Sequence, residues 1–196
     1  MKKIKSNFIK YKFIFKENTK HTSYLYQKVF RAIYGYHQNV TKNNNKIYTY
    51  FRKGLVSDIP YIKPGKNSVI LPIGYETKLL EYFETGKNPT HNWKTRGDWK
   101  VEYTINEVDI DSESVIKSLE DYINNYTIIN LENKNAKLLE EIDLVSKEQI
   151  SNNNYINIIK NICVKIISNY WFKDIYIESP VLTSFYSSYQ VIKQKL

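Results

Sequence analysis

The chain has 196 residues, 42% apolar, 15% aromatic and 25% charged, with a formal net charge of +9, a globular composition that excludes disordered and fibrous proteins. Six glycines and five prolines fall well below the roughly 12% of average usage, which excludes collagen-like segments and long flexible linkers. The single cysteine, Cys163, leaves no internal disulfide and no cysteine-based metal cluster, so a reducing, cytoplasmic setting is expected.

Lys, Asn, Ile and Tyr are all favoured by AT-rich codons, so net charge alone proves little. Its sorting says more. Residues 1–100 carry 20 basic and 6 acidic groups, residues 101–196 carry 9 and 14, and within Met1–Val56 thirteen Lys/Arg face one carboxylate, Glu17. A one-signed field on one folded unit attracts polyanions, although a basic face also serves solubility alone.

Asn7 to Lys16 alternates, with Ile9, Tyr11, Phe13 and Phe15 opposite Lys10, Lys12 and Lys16, the period of a half-buried strand. Thr22 or Ser23 then caps a helix to about Tyr36, in which Leu25, Tyr26, Val29, Phe30 and Ile33 form the apolar stripe and Lys28 and Arg31 the wet side. Asn43-Asn44-Asn45 reads as a hairpin turn before the alternating strand Lys46–Lys53, with His37–Thr41 as the other arm. After a loop punctuated by Pro60, Pro64 and Gly65, a short buried strand is expected at Ser68–Pro72 and a helix at Glu76–Glu84, stopped at Gly86. A long strand follows from Trp99 to about Ile110, whose parity changes from Val101, Tyr103 and Ile105 to Val108 and Ile110, as a bulge near Asn106 would allow.

The remainder is helical. Ser112 is expected to cap one helix and Leu138, Leu139 and Ile142 to mark another. A third spans Ser151 to about Tyr170 with a broad isoleucine face, and the last runs from Pro180 to Lys193. The whole reads as α+β: a ferredoxin-like, split βαβ antiparallel sheet with packed helices over residues 1–111, followed by a more acidic helical region over 112–196. That second region either completes a core or holds the protein in a homo-oligomer or larger complex. The N-terminal stretch and the run Ile156–Phe172 are interrupted by lysines, so neither reads as a signal peptide or membrane span, and no membrane partner is expected.

Three residue constellations carry chemistry. The strand Lys46–Lys53 places Tyr48, Tyr50 and Arg52 on one face; aromatic rings that stack unpaired bases, with cations on the phosphates, are the usual means of holding single-stranded DNA or RNA. Lys10, Lys12, Lys28, Arg31, Lys46, Arg52 and Lys53 are the phosphate-contact candidates, although tyrosine is an ordinary strand former and some of the lysines are plain surface. The loop Thr90–Trp99 adds Trp93 and Arg96, which either cap a base or pin the loop to the core. Glu107, Asp109 and Asp111 alternate and could hold Mg²⁺ for a nuclease or nucleotidyltransferase, or stand solvated before a helix N-terminus. Asp58 with Asp98-Trp99-Lys100 echoes a nuclease-type acid spacing short enough to arise by chance. His21, His37 and His91 lack zinc-type spacing, no glycine loop cradles a phosphate, and no cofactor is expected. The expected function is therefore nucleic-acid binding without chemistry of its own, as an accessory or assembly subunit; the metal-dependent enzyme and a purely structural subunit are the alternatives.

Overall fold

The computed structural model describes residues 2–15, 19–20, 22–42, 46–87 and 99–194. In chain order the elements are β1 (Lys3–Phe15), α1 (Tyr24–Tyr34), β2 (Tyr36–Lys42), β3 (Lys46–Arg52), β4 (Ser68–Leu71), α2 (Thr77–Thr85), β5 (Trp99–Asp111), α3 (Ser112–Asn125), β6 (Thr127–Ile129), β7 (Asn135–Lys137), α4 (Leu138–Ser146), α5 (Asn153–Ile167), α6 (Tyr170–Ile175), a 3₁₀ turn Tyr176–Glu178, and α7 (Pro180–Gln194). The architecture is mixed α+β, an antiparallel sheet with packed helices and a helical C-terminal region. Packing separates two compact units, Ser6–Val108 and a second formed by Met1–Lys5 with Asp109–Leu196.

Within Ser6–Val108 the sheet runs β4-β1-β5, with β1 antiparallel to β4 in the register Phe8↔Ile70, Ile9↔Val69. Ile9, Tyr11 and Phe13 alternate inward and share one buried cluster with Val29, Ala32 and Ile33 of α1, with Leu79, Tyr82 and Phe83 of α2, and with Trp99. Both helices therefore cover the same face of the sheet. Aromatic edges fill it: the Phe13 ring meets Trp99 at 5.0 Å and Phe30 at 5.6 Å, both edge-on, the preferred approach for ring quadrupoles. Two of its polar groups pair with each other, since the Tyr11 and Tyr34 hydroxyls lie 2.8 Å apart and that of Tyr34 donates to the Ser68 carbonyl at 3.2 Å. Burial raises both phenols, Tyr34 to about 12, and keeps them protonated.

The expected hairpin forms, but as a sheet of its own. Among the described residues β2 and β3 pair only with each other, from Tyr36↔Arg52 to Lys42↔Lys46. Beside β4 the main sheet has a single antiparallel bridge, Ile62↔Ile70, so the four-stranded sheet expected of a split βαβ unit is not completed among the described residues. The reason lies at the hairpin base. β2 leaves α1 through Gly35, and the chain returns through Gly54 to bond the end of α1, Leu55 N–H to the Ala32 carbonyl at 2.9 Å and Val56 N–H to that of Ile33 at 3.0 Å. These donors satisfy helix-end carbonyls and tie the ribbon to α1 instead of to the sheet.

In the second unit, Lys2–Lys5 packs with the helices: the Lys2 carbonyl accepts from Ser112 N–H at 3.1 Å and the Lys2 ammonium donates to the Asp174 carbonyl. Its core joins Val115, Leu119 and Ile123 of α3, Leu138, Ile142 and Val145 of α4, Ile159 and Cys163 of α5, Trp171 and Phe172 of α6, and Leu182 and Phe185 of α7, all buried. Leu138 and Ile142, which mark the second predicted helix of this region, are thus spent inside their own unit. The helix expected over Ser151–Tyr170 is broken, because Asn169 accepts the Trp171 N–H at 2.9 Å and starts α6. Likewise α3 is capped by Asp111, and Ser112 is its first, buried residue. Ser179 caps α7 toward Leu182 N–H at 3.2 Å and donates to Glu120 at 2.6 Å, joining α7 to α3. No helix among the described residues is long and apolar enough to cross a membrane.

Candidate nucleic-acid interface

Assigning the residues to compact units sharpens the charge argument. Ser6–Val108 holds 17 basic and 8 acidic residues, whereas the other unit holds 12 of each, because Lys2, Lys3 and Lys5 join it. Glu102 and Glu107 fall to the first unit as well, so all of the net +9 belongs to it, and the unit that contains the C-terminal helices is neutral. From residue 18 to residue 57 there are seven Lys/Arg and no carboxylate.

That stretch contains α1 and the β2–β3 ribbon. Because side chains alternate, the register puts Tyr36, Gln38 and Val40 on one face with Lys46, Tyr48, Tyr50 and Arg52, and His37, Asn39 and Thr41 on the other with Ile47, Thr49 and Phe51. The tyrosine face is a ladder of cations and rings. The Arg31 guanidinium of α1 lies 4.9 Å from the Tyr36 ring centre; Arg52 donates to Gln38 Oε1 at 2.8 Å and sits 5.9 Å from the Tyr50 ring. These contacts orient both guanidiniums over a continuous strip without neutralising either. Arg31 is held further by its donation to Gln27 Oε1 at 3.0 Å. Tyr48 remains 43% exposed and Lys46 is exposed. The second face is also open, with Ile47 at 67% and Phe51 at 47% exposure and a Thr49 hydroxyl donating to Asn39 Oδ1 at 2.8 Å.

Not every candidate joins this strip. Lys10 and Lys12 are exposed on β1, on the face of the sheet opposite the one that α1 and α2 cover, so the fold places them away from Lys28 and Arg31. Lys28 stays on α1, its ammonium 5.8 Å from the Tyr24 ring. Lys53 pairs with Asp58 at 2.7 Å, which occupies its charge locally and gives Asp58 a structural partner. Trp93 and Arg96 lie outside the described residues, as do Asp98, His21, His91 and the Asn43–Asn45 turn. Sequence reasoning passed over Tyr36, Gln38 and Lys63, the last with its ammonium 4.5 Å from the Tyr34 ring. Tyr36 was legible in the alternation once the strand is started one residue earlier.

The acidic alternative takes a different form. Glu107 and Asp109 stand exposed on β5, whereas the Asp111 carboxylate accepts the Ser114 N–H at 2.8 Å and the Ser114 hydroxyl at 3.0 Å as the N-cap of α3. Among the described residues no three His, Cys, Asp or Glu side chains come together as a metal site. Those Ser114 bonds hold the Asp111 carboxyl below the usual carboxylate range. Since the folded-state pKa is the lower one, the cap's contribution is complete above the ordinary range and is lost as pH falls through the folded-state value. Asp111→Ala should therefore lower the unfolding midpoint at neutral pH, with a deficit that shrinks in acid, while Asp111→Asn recovers much of it without the pH dependence. Denaturant titrations at neutral and strongly acidic pH check this; a pH-independent deficit for Asp111→Ala would contradict it.

No family model matches the chain, and no curated protein or solved structure matches it.

Proposed function

We propose that the protein binds nucleic acid, single strands in preference to duplex, along the tyrosine face of the β2–β3 ribbon and the adjoining side of α1. The observation that carries this reading is the ribbon itself. Among the described residues it is paired with no other strand and open on both faces, and it lies in the forty-residue stretch that has no carboxylate. Rings with an exposed edge can stack on unpaired bases of any identity, and Lys46, Arg52 and Arg31 take the phosphates between them. Lys10 and Lys12, on the other side of the sheet, add to the attracting field without touching the same strand. The reading supposes no catalysis.

Fluorescence anisotropy with labelled single- and double-stranded DNA and RNA tests it. Tyr48→Ala with Tyr50→Ala should weaken single-strand binding by about 1 to 3 kcal/mol per stacked base and leave duplex binding nearly unchanged. Affinity should also fall steeply with salt, since each neutralised phosphate releases counterions. Equal losses on both substrates, or a flat salt response, would reject the proposal.

A further inference from the structure

The C-terminal unit contains a cavity of about 350 Å³ between the end of α5, α6, the 3₁₀ turn and α7, a volume at the lower end of small-molecule sites. Val164 and Ile167 form one wall and three rings the other. Phe172 and Tyr176 lie parallel at 5.6 Å, and Tyr186 tilts against Tyr176 at 4.8 Å. This ring packing fixes the shape of the wall before any ligand enters.

The polar groups on the rim are one-sided in their chemistry. Lys173 is the only charged residue of the lining, it is exposed, and it takes part in no ion pair among the described residues. The Tyr176 and Tyr186 hydroxyls make no hydrogen bond among the described residues, so both can donate. Ser168 already spends its proton on the Lys165 carbonyl at 2.9 Å. Among the described residues no carboxylate lines the cavity, so an ammonium ligand would meet Lys173 with only the ring faces to offset it, whereas a carboxylate gains a charge-assisted bond at Lys173 and can accept from the phenols of the lining. We propose that this cavity binds a small organic anion, a carboxylate on an aromatic or alkyl body, with the body against Phe172, Tyr176 and Tyr186 and the head group at Lys173. The site is independent of the ribbon and of nucleic acid.

Calorimetric titration of the full chain with naphthalene carboxylate, and with naphthylmethylammonium as the charge-reversed twin, tests the assignment. The carboxylate should bind one site saturably and the ammonium should not. Lys173→Gln should weaken the carboxylate roughly tenfold or more, as loss of a charged hydrogen bond requires, while Lys173→Arg retains it. Because Lys173 is exposed, a thermal melt should show both variants folded. The proposal is overturned if the carboxylate does not bind, if the ammonium binds as tightly, or if Lys173→Gln binds as well as the parent. It is overturned equally if the protein adsorbs to phosphatidylglycerol vesicles but takes up no free carboxylate, which would make the cavity a membrane contact instead.

Discussion

Replacing Gly54 or Gly35 with alanine should destabilise the protein by about 3 kcal/mol or more, while Gly65→Ala should leave it within about 0.5 kcal/mol of the parent. At Gly54 a new Cβ would lie 2.2 Å from the Gly35 nitrogen and 2.5 Å from the Ile33 carbonyl oxygen, both backbone atoms that no rotamer change can move aside. At Gly35 it would lie 2.5 Å from the Arg52 carbonyl oxygen, and the backbone there sits at φ +77°, which side-chain-bearing residues rarely adopt. Relief requires parting the two ends of the ribbon, at the cost of the bonds from Leu55 and Val56 to the end of α1. Because both methyls would press on one crossing, the double substitution should cost less than the sum of the single ones. Gly65, whose nearest atom is the Ser68 Oγ at 3.7 Å, has room for the methyl. Urea midpoints for the four variants decide it; a Gly54→Ala protein as stable as Gly65→Ala would contradict the packing at the ribbon base.

The same crossing shows where sequence reading stops. The elements themselves were legible because they rest on local rules. Ser23 caps α1 by accepting the Tyr26 N–H at 3.2 Å, Gly86 ends α2 in the left-handed region, and Pro180 opens α7. The parity change along β5 was legible in part, since Trp99, Val101 and Tyr103 turn inward and Val108 and Ile110 are half-buried, but Ile105, expected with the first set, is exposed. Partnership was not. Alternation in Lys46–Arg52 says that the segment is a strand, but the edge it bonds is fixed by Gly35 meeting Gly54, a contact between residues that carry no pattern. Nor did anything local announce that β1 begins at Lys3, where Ile4 is the only apolar residue among four positions. The short hairpin β6–β7 escaped for a similar reason: three-residue strands are too brief for alternation to stand out.

The candidate interface divides in the same way. Tyr48, Tyr50 and Arg52 share a face by strand periodicity alone, and the structure keeps them there. Lys10, Lys12, Lys28 and Arg31 were grouped by charge, which has no direction in sequence, and the fold separates the first pair from the second. Asp111 was legible as a carboxylate beside a helix start; only the geometry shows it spent on Ser114.

The second large effect is expected from Trp171→Ala. Trp171 is fully buried, and α6 has six residues, too few to persist without packing. Deleting a buried indole costs about 3 to 5 kcal/mol through lost burial and the void it leaves, a large part of the 5 to 15 kcal/mol that holds typical domains together. Cys163 supplies a second reading of the same event. It is the only cysteine, it is wholly buried in the same unit, and burial pushes its thiol up to about 12, so it is unreactive toward disulfide reagents until the unit opens. If opening is cheaper by about 3 kcal/mol or more, labelling of Cys163 should accelerate by about two powers of ten or more. Trp171→Phe, which keeps a ring in place, should fall between the two. The ribbon belongs to the other unit, so folded Trp171→Ala should bind single strands with the parent's affinity and salt dependence. An unmoved urea midpoint together with labelling as slow as in the parent would show that Trp171 does not carry the packing of its unit.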